Sequence, residues 1–469
     1  MIRLLKNNRT KSIVAFSCLF AYLLSFVFEG QVLYSIIDTF GAQTHTYILS
    51  AIIVHFVGLF SCGFFIKSPW EAKLAMSGGM MVCLLFTIPY FFAPSVLWLV
   101  GLVISGYAGG CAVAAWGYFL KTFTPKNERI KSCADVLIFS NIIMIIINVV
   151  TINSTPFIGL CLSIFCLVIG AVFTWSIPTG KMAAMKDENE KKLPTNLRKP
   201  MIILFFFVAI ITVNSGLMYQ VINPAFKHLT VLVTWYWAVP YIIALVIMRN
   251  LPMKAKRSRI LYVGMAMIMG AFISFMLLGR DASDYLIVDT LMLGACGVFD
   301  LFWWSIIGEM LDYSKNPVKI FGIGLSVNVF GVLVGDVLGV GVSSISLSDA
   351  EVAVIALSVV CVTLVILPPM NQQLIMLLKS HSYLNVYSDM SEQQQSAIIQ
   401  GTKLLDPLTV RENDVLQHIL SGKSNKEIAI VLSITESTVK THARNIFSKY
   451  DVGSRAELIS TLLKNQGGV

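Results

Sequence analysis

Twelve unbroken apolar runs, each close to the ~20 residues that cross a bilayer as a helix, restrict this sequence more than any other feature. They start near residues 12, 45, 72, 95, 132, 155, 200, 230, 260, 284, 318 and 350, and charge, proline or asparagine clusters separate them. Lipid offers no water to the backbone, so every N–H and C=O must be satisfied internally, which leaves helices and closed barrels. Continuous rather than alternating hydrophobicity selects helices. Composition agrees: 56% of the 469 residues are hydrophobic and 13% charged, against roughly 45–50% apolar in soluble domains. The apolar character stops near Met370, and a polar segment the size of a small water-soluble domain follows. The predicted fold class is all-α, a polytopic transmembrane bundle of about twelve spans in two sets of six, followed by a small helical domain. The predicted boundaries are 1–370 for the transmembrane domain, with halves at 12–177 and 200–370 around a loop at 178–199. A linker at 371–405 and a terminal domain at 406–465 complete the chain.

Orientation follows from basic residues, because Lys and Arg stay on the cytoplasmic side while acids weigh little. Connections on the side of the N-terminus hold 23 Lys and Arg, six of them from Lys181 to Lys199, whereas the opposite side holds only Lys227 and Arg280. This places the N-terminus, the 178–199 loop and, after an even number of spans, the C-terminus in the cytoplasm. The same loops explain most of the +9 net charge, which is therefore not a nucleic-acid signal. Arg3, Lys6, Arg9 and Lys11 precede the first run without a small-residue cleavage site, so it reads as a membrane helix rather than a removable signal peptide. Nine cysteines lie in or beside apolar runs at no metal-ligand spacing and read as reduced, buried side chains.

The six-plus-six layout resembles that of major-facilitator transporters. The resemblance rests on span count and symmetry, since the connection after the second run reads KSPWEAK, without the Gly, Asp and Arg pattern usual there in that family. Ionisable groups inside spans are costly and so mark functional positions. Glu29, His55, Asp300 and Asp336 lie deepest, while Asp135 and Asp289 lie near span ends and read as wetted. Asp300 is followed by Phe302, Trp303 and Trp304, and a carboxylate beside aromatic rings suits a cationic or hydroxylated aromatic ligand. The expected pocket is therefore Glu29, His55, Asp300, Trp303, Trp304 and Asp336. Asn141, Asn148, Asn214 and Asn328 either join helices or line a cavity, and Trp235, Tyr236 and Trp237 read as interface anchors.

Beyond the membrane runs, three positions pair a Ser or Thr N-cap with a Glu three residues on: Thr409 with Glu412, Ser424 with Glu427, and Ser454 with Glu457. A fourth helix starts at Thr435. Four short helices result. The second and third, joined by Leu432, Ser433 and Ile434, suit a helix-turn-helix in which the later helix enters the major groove. Lys440 and Arg444 lie one turn apart on that helix with Thr441 beside them, residue types that read base edges. Ile428, Leu432, Val439 and Ile446 are the expected core.

The run from Leu408 to Leu458 resembles the LuxR/FixJ-type four-helix DNA-binding domain, through its LTVRE start, GKSNKEIA, STVKTH and SRAEL. The resemblance implies that Lys440, Thr441 and Arg444 face bases. Lys426, Ser437, Thr438 and His442 would serve phosphates, and the last helix, with Ser454, Leu458 and Leu462, would pair two copies. Tyr450 stands where Leu is more usual, a change of packing. The domain carries eight basic residues against seven acids, so a monomer should bind weakly and dimerisation onto paired half-sites is the expected remedy. The segment 371–405, with Gln393, Gln394 and Gln395, reads as a tether of roughly 30 Å mean reach or as a short coupling helix.

These features predict a multi-pass regulator in a bacterial cytoplasmic membrane, whose bundle senses a small molecule and controls DNA binding. The alternative is a secondary transporter of the major-facilitator type with an appended regulatory domain. Expected partners are double-stranded promoter DNA, membrane lipid, a small-molecule ligand, a second copy of the chain and RNA polymerase. No Gly-x-Ser-x-Gly, phosphate loop or zinc spacing is present, so neither an enzyme nor a cofactor, metal or catalytic site is expected.

Overall fold

The computed structural model describes residues 7–28, 30–41, 45–179, 198–251, 257–314, 316–344, 348–388, 406–421, 423, 425–453 and 455–464. All regular elements among them are helical. Eleven helices are long and apolar enough to cross a membrane, and a shorter apolar one, Leu49–Phe65, fills the second of the twelve expected places. By compactness the chain divides into two units, Met1–Asp187 with Phe205–Val365, and Glu188–Leu204 with Ile366–Val469.

The first half of the bundle holds α1 (Asn8–Tyr22), α2 (Gln31–Phe40), α3 (His45–Phe65), α4 (Pro69–Thr87), α5 (Val96–Phe123), α6 (Arg129–Asn153) and α7 (Pro156–Trp175). The second half holds α8 (Arg198–Leu217), α9 (Thr230–Trp235), α10 (Val239–Asn250), α11 (Arg257–Leu277), α12 (Ala282–Met310), α13 (Pro317–Ser344) and α14 (Asp349–Ser388). Among the described residues, two spans carry π-helical interruptions, and a third, Thr230–Asn250, breaks between α9 and α10. A π-helical stretch, Leu23–Val27, lies between α1 and α2, and Gly30 follows it because a Cβ there would collide with the Ser25 backbone. The equivalent span of the second half carries a π-helical stretch at Met218–Ile222. Such bulges in membrane helices frequently mark functional sites.

Helix starts are fixed locally. Ser68 and Glu71 form a capping box with Pro69 in the first turn of α4, Thr155 caps α7 ahead of Pro156, and Asp281 with Asp284 caps α12. Between helices, lipid supplies no hydrophobic drive, so close packing and interhelical hydrogen bonds hold the bundle. Gly58 and Gly110 bring α3 and α5 into backbone contact, and Gly63 and Gly322 do the same between α3 and α13. Phe16, Phe20, Trp116, Trp304 and Phe321 form one aromatic cluster drawn from both halves.

At one end of the bundle, polar contacts join the halves. Arg129, 4% exposed, donates to both Asp312 oxygens at 2.9 Å and to the Gly308 carbonyl at 2.9 Å. Arg249 pairs with Asp135 at 2.6 Å, and Asn316 donates to the carbonyls of Gly63 and Ile66. Asp135 is thus held by an ion pair, not merely wetted. The second unit contains α15 (Val410–Leu420), α16 (Asn425–Leu432), α17 (Glu436–Lys449) and α18 (Arg455–Lys464). α14 continues through Pro368 and Pro369 to Ser388, so the first part of the expected linker is helical; Gln393, Gln394 and Gln395 fall outside the described residues, as does most of the 178–199 loop.

Candidate functional site

The terminal domain is built around Val415, Leu416, Ile419, Ile428, Val439 and Ile446, all fully or almost fully buried, with Leu432 packed against them. α15 begins at the expected capping box, in which Thr409 accepts from the Glu412 amide and the Glu412 carboxylate accepts from the Thr409 amide at 2.8 Å. Lys449 reaches the same carboxylate at 2.8 Å and ties the end of α17 to the start of α15. Burial opposes the Glu412 charge, but Lys449 and the Thr409 donors outweigh it and hold the carboxyl down to about 2. The turn into α17 passes through Ser433 in the left-handed region (φ 54°), with the Ile434 amide donating to the Ala429 carbonyl. Thr435 then caps α17, as expected, by accepting from the Thr438 amide. Ser424 and Ser454, the other two expected caps, lie outside the described residues.

With Val439, Ala443 and Ile446 turned into the core, α17 leaves Ser437, Lys440, Thr441 and Arg444 exposed, with Thr438 and His442 half-buried. Lys426 on α16 is exposed as well. Lys440 pairs with Glu436 at 2.9 Å, both well exposed; such pairs contribute about 0.3–0.5 kcal/mol and are readily exchanged. The Thr435 hydroxyl hydrogen-bonds with those of Ser437 and Thr438 at 2.7 and 2.8 Å. The last helix differs from expectation. Leu458 and Leu462 are fully buried in the domain's own core, so they anchor α18 rather than present a face to a second copy. Apolar residues at this spacing serve either role, and here the small core needs them. Tyr450 is also buried, its hydroxyl unpartnered, and burial raises it to about 12.

In the membrane unit, a cavity of about 180 Å³ is walled by both halves. His55 and Asn141 come from the first half, Tyr241, Asp300, Trp304 and Asn328 from the second. Asp300 accepts from the Tyr241 hydroxyl at 2.9 Å and from the Asn328 amide at 3.1 Å. His55, 3% exposed, bonds through Nδ1 to the Gly106 carbonyl at 3.2 Å. Of the expected pocket, His55, Asp300 and Trp304 come together here. Trp303 does not line this cavity and packs edge-on against Phe205, Asp336 takes a 3.5 Å contact from Gln220 elsewhere, and Glu29 lies outside the described residues. Asp289, expected to be wetted, is 4% exposed with one oxygen unpartnered among the described residues, because α12 carries it inward. Tyr241 and Trp237 were not singled out by sequence as pocket residues; their only sequence signal is an aromatic side chain near a span, which packing and interface residues share.

Residues 406–462 match the family described as bacterial regulatory proteins, luxR family. Similar curated proteins include the uncharacterized response regulatory protein YgeK of Escherichia coli, 53% identical over 12% of this chain and 39% of its own. The transcriptional regulatory protein YhcZ of Bacillus subtilis is 56% identical over 11% and 23%, and the nitrate/nitrite response regulator NarP of Escherichia coli 48% over 13% and 28%. The chain thus spans well under half the length of these relatives, all within the terminal domain. Among solved structures, the major-facilitator proton:xylose symporter XylE bound to 6-bromo-6-deoxy-D-glucose superposes with a TM-score of 0.60 at 13% identity, covering 77% of this chain and 94% of XylE. That likeness is one of fold. Neither a regulator domain of this kind nor a transporter-like fold is an enzyme family. The protein is a multi-pass membrane protein in which a bundle of major-facilitator fold is fused to a C-terminal LuxR-family helix-turn-helix domain, a kind of domain that binds DNA.

Proposed function

We propose that the protein is a membrane-embedded one-component transcription regulator, in which a small molecule bound in the bundle controls DNA binding by the terminal domain. The observation that carries this reading is the cavity with walls from both halves, in one chain with a LuxR-family domain. A ligand seated between two bodies changes their relation only as far as it binds one arrangement better than the other. Moving a 1:99 equilibrium to 99:1 takes about 10⁴-fold differential affinity. The end of the bundle joined by Arg129 and Asp312 belongs to the basic connections, so it faces the cytoplasm, where the terminal domain meets promoter DNA and RNA polymerase. Lys440, Thr441 and Arg444 face bases, Lys426, Ser437, Thr438 and His442 hold phosphates, and two copies occupy paired half-sites. The dimer contact is made by side chains of α18 other than Leu458 and Leu462. The test is footprinting on a promoter recovered by crosslinking the full-length protein to chromatin: Lys440→Ala with Arg444→Ala abolishes protection, and unchanged protection overturns the assignment.

A second reading, a secondary transporter with an appended regulatory domain, is favoured by the fold likeness to a symporter. Saturable uptake by vesicles carrying a chain that ends at Met370 would support it. No uptake, together with ligand-dependent promoter occupancy by the full chain, leaves the receptor reading.

A further inference from the structure

We infer that the ligand of this cavity is a compact organic cation, an ammonium on an aromatic or apolar body, with Asp300 as its counter-charge. The inference rests on the receptor or transporter reading of the same cavity and names the chemistry of its occupant. Asp300 is the one carboxylate among the described lining residues, and none of those residues is Lys or Arg. Both its oxygens are engaged, but by neutral donors, Tyr241 and Asn328, and no Lys, Arg or His pairs with it among the described residues. Asp300 is half-buried at the cavity wall inside the bundle, and a carboxylate held there by neutral hydrogen bonds without a counter-ion is incompletely compensated. The surrounding polar atoms are poor substitutes for a cation. Because a carbonyl only accepts, His55 Nδ1 carries the proton in its bond to Gly106, which leaves the neutral ring an acceptor at Nε2. Asn141 spends one amide N–H on the Leu137 carbonyl and Asn328 spends one on Asp300, so each keeps one N–H and a carbonyl oxygen, neutral groups that carry no compensating charge. Phe20, Tyr219, Trp237 and Trp304 add aromatic rings to the wall, and a ring face attracts a cation more strongly when desolvated. At about 180 Å³ the space is below the roughly 300–1,000 Å³ of drug-sized sites, so the occupant is small.

The test uses the full-length protein in lipid nanodiscs, titrated calorimetrically with phenethylamine, its alcohol analogue 2-phenylethanol and the anion 3-phenylpropionate. Saturable binding of phenethylamine, tighter than 2-phenylethanol by about tenfold or more and absent for 3-phenylpropionate, is expected. Asp300→Asn should lose that preference, while Tyr241→Phe, which keeps the charge, should retain it; if Asp300→Asn does not fold, the Tyr241→Phe variant and the three-ligand comparison decide. Equal binding of amine and alcohol, an unaltered preference in Asp300→Asn, or no saturable binding of phenethylamine at millimolar concentration overturns the inference. Promoter occupancy separates this failure from failure of the receptor reading. Amine binding without any change in occupancy refutes the receptor but not the cation, and an occupancy response to 2-phenylethanol that survives Asp300→Asn does the reverse.

Discussion

Glu412 concentrates several bonds of the terminal domain on one carboxylate: two to Thr409 and one to Lys449. Its folded value near 2 lies below the ordinary 4.5, so its contribution is complete above about 4.5 and is lost as pH falls toward 2. Hydrogen exchange on the terminal helices of the full-length protein should show protection falling across that window. Glu412→Gln keeps an acceptor for the Thr409 amide but removes the charge, so it should flatten the pH dependence and cost about 1–2 kcal/mol at neutral pH through the weakened bond to Lys449; an unchanged acid profile would refute this role. Tyr450 works in the opposite sense, because its buried hydroxyl has no partner among the described residues. Tyr450→Phe keeps the ring packing and removes that unsatisfied group, so protection of the same helices should rise by up to about 1 kcal/mol.

At the scale of elements, the turn between α16 and α17 determines how α17 is presented. Ser433 adopts a left-handed backbone that costs a non-glycine residue about 1–2 kcal/mol. Ser433→Gly should therefore stabilise the domain by about 1 kcal/mol, seen as a higher denaturant midpoint with unchanged slope. On α17 itself, the Glu436 carboxylate partly neutralises Lys440 and repels the DNA backbone. Glu436→Gln should tighten non-specific DNA binding and steepen its salt dependence by up to about one phosphate equivalent. Equal slopes for both proteins would count against Lys440 lying at the DNA surface.

Across the whole membrane unit, the Arg129–Asp312 pair joins the halves at one end, with side chains only 4% and 8% exposed. Breaking a buried pair costs up to about 3–5 kcal/mol, less here because Lys126 also reaches Asp312 at 3.4 Å, and the relief available to a two-body bundle is to open there. Arg129→Ala should lengthen spin-label distances between positions 131 and 319, both exposed at that end, with an unchanged distribution refuting the latch.

Helical class and the identity of the DNA-binding domain were legible in the sequence, and so was the span number to within one, since eleven helices are long and apolar enough and the shorter Leu49–Phe65 takes the twelfth place. Unbroken hydrophobicity near twenty residues leaves a chain in lipid few options, and capping boxes such as Thr409 with Glu412 are local devices whose partners sit three residues apart. The exposure of Lys440, Thr441 and Arg444 follows from helical spacing once Val439, Ala443 and Ile446 turn inward. Hydropathy does not record which face of a membrane helix meets protein, since lipid and core are equally apolar. Only the tertiary structure therefore brought Tyr241 and Asn328 onto Asp300, sent Trp303 away from the cavity, buried Asp289 and paired Asp135 with Arg249. It also turned Leu458 and Leu462 into the core of their own domain, a choice that an amphipathic pattern states only as apolar.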